Sequence, residues 1–420
     1  MSRPLRLILL AGSLLLGLIA AALLTVSGGG AGPVLRTRSG PREPGTDAVG
    51  TDAVGTDAVG TDAVGTDAVE VSLSPVGTVS LTRVPRRIVV LDVNYEDMLT
   101  AMGREESLVA RGPSGGRQVF NGFYEQLPKL ERRFDPTRLK SLYGAIQGDF
   151  DKEFLYALKG DIHHIDPVRL VYRHGWKPED VREIARNVGP FFANRYSREN
   201  SHPGPPGYEF YSVAELAAKV GELYRADAVM AGLRRMEERL RRRIAAKLPP
   251  ENERPTVGLI HFGRDGRVLP HGLAKGFGSA HLRAVGARDA FAARPDVVFP
   301  DHGHYTWLDI EGLLAFDPDV LIVPYAIYAE MRWSLDELQE FVRRDPLGRR
   351  LEAARSGRIY PGGTPMQGPI FLLFQIEMAA KQLYPERFGA FRADHAYPES
   401  ERLFDRRALA ELLTDSREGS

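Results

Sequence analysis

Residues 212–250 read SVAELAAKVGELYRADAVMAGLRRMEERLRRRIAAKLPP, and the reading of this stretch decides the architecture. Ser212 and Glu215 have the spacing of a capping box, and Pro249-Pro250 stop the pattern. Leu216, Val220, Leu223, Met230, Leu233, Leu240 and Ile244 recur at three- and four-residue intervals, with Glu, Arg and Lys on the opposite face. The spacing predicts a single amphipathic helix over 212–248, roughly 55 Å long at 1.5 Å per residue. That is longer than one small lobe is wide. We therefore expect a bridging helix (212–250) between an N-terminal lobe (70–211) and a C-terminal lobe (251–420). Its arginine-rich end, Arg234 to Lys247, reads as a solvated face with carboxylate partners.

On the N-terminal side, 71–75 and 78–84 form a hairpin signal around Val76-Gly77. The short apolar run 88–91 is typical of a buried parallel strand, followed by a loop at 92–95 and a helix at 96–102 stopped by Gly103. Further strands are expected at 108–110 and 161–165, the latter after a helix at 153–159. On the C-terminal side, 256–262 and 320–323 read as strands, and 279–285, 308–315 and 334–343 as helices. An amphipathic helix is expected at 369–382, and a last one over the surface at 399–413. Strand–helix alternation on both sides gives an α/β fold class: two Rossmann-like lobes bridged by a single long α-helix.

The 420 residues carry 55 basic and 55 acidic side chains, so no general attraction to nucleic acid is expected. Cysteine is absent, which excludes disulfides, thiolate–zinc sites, iron–sulfur clusters, a cysteine nucleophile and a lipid-modified cysteine. No G-x-S-x-G elbow, H-E-x-x-H helix, P-loop or G-x-G-x-x-G turn occurs, so an enzyme is not expected.

Residues 1–27 read as a membrane anchor or signal peptide. Arg3 and Arg6 precede an uncharged apolar run, Leu7 to Val26. As a helix it would be about 30 Å long, enough to cross a bilayer. Signal-peptide cores are shorter, about 7–15 residues, which favours the anchor. The positive end places everything after it outside. Residues 28–69 form a flexible linker in which Gly45-Thr46-Asp47-Ala48-Val49 recurs five times, a period matching neither helix nor strand. The expected location is the outer face of the cytoplasmic membrane.

The two halves share a skeleton. Glu153, Leu155, Ala157 and Asp161 have the same spacing as Glu311, Leu313, Ala315 and Asp319, each leading from a helix into an apolar strand. Together with Pro85-Arg86-Arg87-Ile88-Val89, Asp97 through Gly103, Leu308 through Val323, Ala354 through Tyr360 and Gly368 through Pro385, these motifs span roughly 71–388. In this the chain resembles the siderophore/cobalamin-type (class III) extracytoplasmic solute-binding proteins of ABC importers. The resemblance implies two lobes joined by one long helix, ligand held in the cleft, and little hinge motion. It also implies that Glu153 and Glu311 dock onto arginines of an ABC permease, which works with its ATPase. Two departures stand out: the lipobox cysteine is missing, its place open to the Leu7–Val26 run, and Gly160 replaces the usual proline before Asp161.

In such a fold the cleft is lined by loops after the strands' C-terminal ends. The first lobe offers Tyr95, Arg117, Tyr143 and a loop after Ile165 carrying Arg169; the second offers His261, Tyr305, Tyr325, Tyr328, Arg332, Trp333 and Gln367. Aromatic rings with a few guanidinium groups suit a bulky, partly anionic ligand such as an iron(III)–siderophore chelate, with no intrinsic cofactor. Haem, cobalamin or a free metal ion held by His302 and His304 are alternatives, as are a sensor domain or an exported hydrolase of the same fold. His163-His164 lies in or beside a strand and is expected to pack there.

Overall fold

The computed structural model describes residues 68–418 except 93, 113–122, 129–138, 143–149, 196, 198–207, 264, 275, 299–305, 325–334 and 363–366. The anchor and most of the linker predicted for 1–69 lie outside the described residues. Among the described residues no helix is long and apolar enough to cross a membrane.

The first half opens with the expected hairpin, β1 (Val69–Leu73) antiparallel to β2 (Gly77–Leu81), with Gly77 at φ 80° in the turn. A parallel sheet follows, ordered β5-β4-β3-β6, from β3 (Ile88–Val90), β4 (Leu108–Arg111), β5 (Lys140–Ser141) and β6 (Ile162–His164). All three residues of β3 are fully buried, as its unbroken apolar run requires. Helices α1 (Asn94–Ala101), α2 (Lys152–Leu158), α3 (Pro167–His174) and α4 (Pro178–Asn187) connect these strands.

The single long helix expected over 212–248 is two helices, α5 (Val213–Leu223) and α6 (Asp227–Ala245). The capping box holds: Ser212 N–H donates to Glu215 at 2.7 Å and Glu215 N–H to Ser212 Oγ at 3.2 Å. The break falls where the apolar stripe fails, because one turn past Leu223 stands Asp227. Arg225 takes the left-handed conformation, φ 56°, and Ala226 N–H closes onto Gly221 O at 2.7 Å. The helices then pack side by side, so closely that a Cβ on Gly221 would lie 2.7 Å from Met230 Cγ. A rigid rod of roughly 55 Å is thus replaced by a folded pair, α6 spanning roughly 28 Å. On α6, Arg234 and Arg241 meet Glu238 and Glu237 as expected, at 3.0 and 2.7 Å.

The second half holds β7 (Thr256–Phe262), β8 (Val268–His271), β9 (Arg288–Asp289), β10 (Val320–Val323) and β11 (Ile359–Pro361). Strands β11, β10 and β7 run parallel in that order; β8 is antiparallel to β7, and β9 pairs in parallel with it. Its helices include α7 (Ala280–Ala284), α8 (Ile310–Leu314), α9 (Leu335–Arg344), α10 (Pro369–Leu383) and α11 (Arg406–Glu418).

Helix α10 buries all fifteen of its residues, so it is a core helix rather than the amphipathic one expected. Its polar side chains are accommodated individually. Lys381 donates to Phe388 O at 2.6 Å and lies 4.3 Å from the Tyr397 ring. Glu377 pairs with Arg406 at 2.8 Å, each about 1% exposed. The last helix begins at Arg406, later than expected, and is half-sunk: a Cβ on Gly232 of α6 would lie 2.7 Å from Leu412, and Ser416 Oγ donates to Ala101 O at 2.9 Å.

Candidate functional site

The repeated skeleton is a repeated structural unit. In the first half the Asp151 side chain accepts from Glu153 N–H at 2.9 Å and opens α2; Lys159 then turns the chain at φ 49°. Asp161 next accepts from the N–H groups of Arg86 and Arg87 at 2.8 and 3.0 Å, and β6 pairs with β3, Ile162 opposite Ile88. In the second half Asp309 accepts from Gly312 N–H at 2.7 Å and opens α8; Asp317 turns at φ 38°. Asp319 accepts from Thr256 N–H and Oγ1–H at 2.7 and 2.8 Å, and β10 pairs with β7, Val320 opposite Val257. Glu153 and Glu311 therefore occupy equivalent places, each two residues after an aspartate cap and each exposed in the first turn, where the helix dipole favours a carboxylate.

The missing proline at 160 has a local cause. A Cβ on Gly160 would lie 2.9 Å from Val89 Cγ2 and 3.0 Å from His163 Nε2. In the second half Pro318 fills the matching position, and there the residue matching Val89 is Gly258, whose Cβ would lie 3.1 Å from Pro318 Cγ. Each half keeps one small and one larger residue across the same contact.

The expected ligand-facing residues are distributed unevenly. Arg117, Tyr143, Tyr305, Tyr325, Tyr328, Arg332 and Trp333 lie outside the described residues, as do His302 and His304. Tyr95 is fully buried: its ring stacks on His164 with centroids 4.6 Å apart, and its hydroxyl accepts from Asn194 N–H at 2.9 Å. That side chain packs the first half from within. His163 and His164 are buried in β6 as expected, and burial holds both imidazoles down at about 4.

Arg169 stands on a helix, not on the loop expected after Ile165. Asp166 caps α3 by accepting from Val168 N–H at 2.9 Å, Pro167 begins it, and Gly175 ends it at φ 69°. This cap–proline–glycine signature was available in the sequence. Burial pushes the Asp166 carboxyl up to about 6, against the opposing effect of hydrogen bonds from the Tyr208 hydroxyl and from Arg195 N–H at 2.7 Å. Arg195 also reaches Asp92 at 3.5 Å, at the C-terminal end of β3.

In the second half His261 stands near the end of β7 and meets His271 of β8, a residue for which the sequence gives little signal because Pro270 argues against a strand. Burial, and then the neighbouring His261 ring, hold His271 well below the usual histidine range. Gln367 is fully buried just ahead of α10; its amide nitrogen bonds Gly278 O at 3.3 Å and His281 Nδ1 at 2.9 Å. Among the described residues no three His, Asp or Glu side chains gather as a metal site.

Residues 202–364 match the model of a family described as periplasmic binding protein. No curated protein matches the chain. Several solved structures share the fold. A periplasmic solute binding protein from Mycobacterium smegmatis is 17% identical over 76% of this chain and 98% of its own, with a TM-score of 0.53. The iron uptake ABC transporter substrate-binding protein PiuA from Streptococcus pneumoniae is 16% identical over 75% and 98%, with a TM-score of 0.52. The petrobactin-binding protein YclQ from Bacillus subtilis is 14% identical over 76% and 99%, also at 0.52. Residues 202–364 are thus similar to the periplasmic binding protein family, and the chain shares the fold of these solved solute-binding proteins.

Proposed function

We propose that this protein is a membrane-tethered extracytoplasmic solute-binding protein that captures an iron(III)–siderophore-type chelate and delivers it to an ABC permease and its ATPase. The observation that carries the reading is the equivalence of Glu153 and Glu311: one exposed carboxylate per half, in the first turn of matching aspartate-capped helices. Paired carboxylates at equivalent places suit docking onto a partner with two equivalent basic sites, where opposite charge sets orientation and encounter rate. The likeness to PiuA, an iron uptake protein, and to YclQ, a petrobactin-binding protein, favours an iron chelate as cargo. Tyr95, Arg117, Tyr143, Arg169, His261, Tyr305, Tyr325, Tyr328, Arg332, Trp333 and Gln367 remain the ligand-contact set of this proposal; among those described, His261 and Arg169 are the first to test. The apolar run Leu7–Val26 is the proposed tether.

The test is uptake of a ferric chelate by cells carrying the Glu153→Ala/Glu311→Ala double variant. Uptake should fall at least tenfold while affinity of the purified variant for the chelate stays at the wild-type value. Undiminished uptake rejects the docking role.

A further inference from the structure

We propose that His261 and His271 form a two-nitrogen site for a late divalent transition-metal ion such as Ni²⁺, Cu²⁺ or Zn²⁺, bound without a chelator. Strands β7 and β8 are antiparallel, with His261 opposite Leu269 and Leu259 opposite His271. The two histidines are thus diagonal neighbours offset by two residues, and both project from one face of the strand pair. Their ring centroids are 4.5 Å apart at an interplanar angle of 66°, and His261 Nδ1 faces His271 Nε2 within hydrogen-bonding range. Both residues are half-buried.

One proton now lies between those two nitrogens. If the donor ring moves its proton to its other nitrogen, both lone pairs face each other and no net proton is released. Metal–imidazole bonds are about 2.0–2.1 Å, so two of them on one ion place their nitrogens roughly 3 Å apart, a separation close to that of a hydrogen bond. The rings must tilt so that both lone pairs converge on an ion lying off the line between the two nitrogens. Imidazole nitrogens suit nickel, copper and zinc as well as iron, so the pair needs no chelated ferric ion. The site shares His261 with the proposed chelate contacts but does not depend on a chelate being the cargo. Water would complete the coordination sphere.

The experiment is equilibrium dialysis of the untagged full chain, in non-ionic detergent, against NiCl₂, ZnCl₂ and CuSO₄. One ion per chain is expected, half-saturating in the micromolar range, with His261→Gln and His271→Gln each weakening binding at least tenfold. Electron paramagnetic resonance of the Cu²⁺-loaded wild type provides a readout that needs no variant: superhyperfine structure from two nitrogens is expected. No saturable binding, or wild-type binding in both variants, overturns the proposal. Titration of the same preparation with a ferric trihydroxamate reports separately on the chelate reading, so either idea fails without the other.

Discussion

The carboxylate of Asp97 on α1 and the backbone of Gly368 are in direct opposition: a Cβ on Gly368 would lie 2.2 Å from Asp97 Oδ2. The same oxygen accepts from Ile370 N–H at 2.9 Å and Phe371 N–H at 3.3 Å, so a first-half helix caps the core helix of the second half. Tyr124 holds the other oxygen. Gly368→Ala should destabilise the protein by about 3 kcal/mol, since the new Cβ overlaps the buried Asp97 side chain down to its own Cβ, which moves only with α1. Because Asp97 Cβ would itself lie 2.4 Å away, only adding Asp97→Gly removes the clash, at the cost of a cap worth about 1 kcal/mol. The double variant should therefore melt above Gly368→Ala alone; a lower melting temperature contradicts the steric account.

The exchange of small and large residues across the two halves gives a coupled prediction. Gly160→Pro should cost about 1–3 kcal/mol through overlap with Val89 and His163. Val89→Gly should also destabilise, by losing a buried side chain in a strand. Combined, the two should cost less than their sum by at least about 0.5 kcal/mol, the range in which contacting residues couple. Chemical denaturation of the four proteins measures this, and strict additivity would show that the Pro318–Gly258 contact has no counterpart here.

Arg406 and Glu377 are buried together, with Gln126 and the Leu403 N–H completing the network. Arg406→Met should cost about 3–5 kcal/mol, because Glu377 is left charged without its partner. Adding Glu377→Leu should restore most of the loss, since a buried pair is often no better than apolar residues of like volume. Urea unfolding followed by circular dichroism distinguishes the two outcomes.

Acid should unfold this protein early. Burial holds His163, His164 and His395 at about 4 and His281 at about 3, below the unfolded value of 6.5. The unfolded chain thus binds more protons between pH 6.5 and about 4, and stability falls as pH drops through that window. Asp166 acts oppositely: raised to about 6 from 3.8, it contributes stability that is present at low pH and lost as pH rises toward 6. Four histidines outweigh one carboxyl. The melting temperature should drop by about 5 °C or more from pH 7 to pH 5, and His281→Gln should flatten that slope; a pH-independent melting temperature would refute the assignment.

The strands were legible where apolar runs are short and bounded: 256–262 and 320–323 match residue for residue. Periodicity misled at 212–248 because α5 and α6 carry the same amphipathic period, and only the charged Arg225 and Asp227 on the stripe mark the turn. It misled again at 369–382, where polar residues are buried through partners beyond the helix, such as Arg406 and the Phe388 carbonyl. The matched glutamates were visible because the helix–turn–strand unit repeats with identical spacing. His271 and the Asp166–Arg195–Tyr208 network were not, since they depend on an antiparallel neighbour and on residues brought together only by the fold.

The last helix bears on how the chain is made. Arg406 reaches Gln126, 280 residues earlier, and Ser416 reaches Ala101, 315 residues earlier. Helix α1 is therefore not fully seated until Ser416 has been synthesised. Contacts of such separation carry a large loop-closure cost and form late. A nascent first half therefore leaves the ribosome without these contacts and gains them only when the second half has followed.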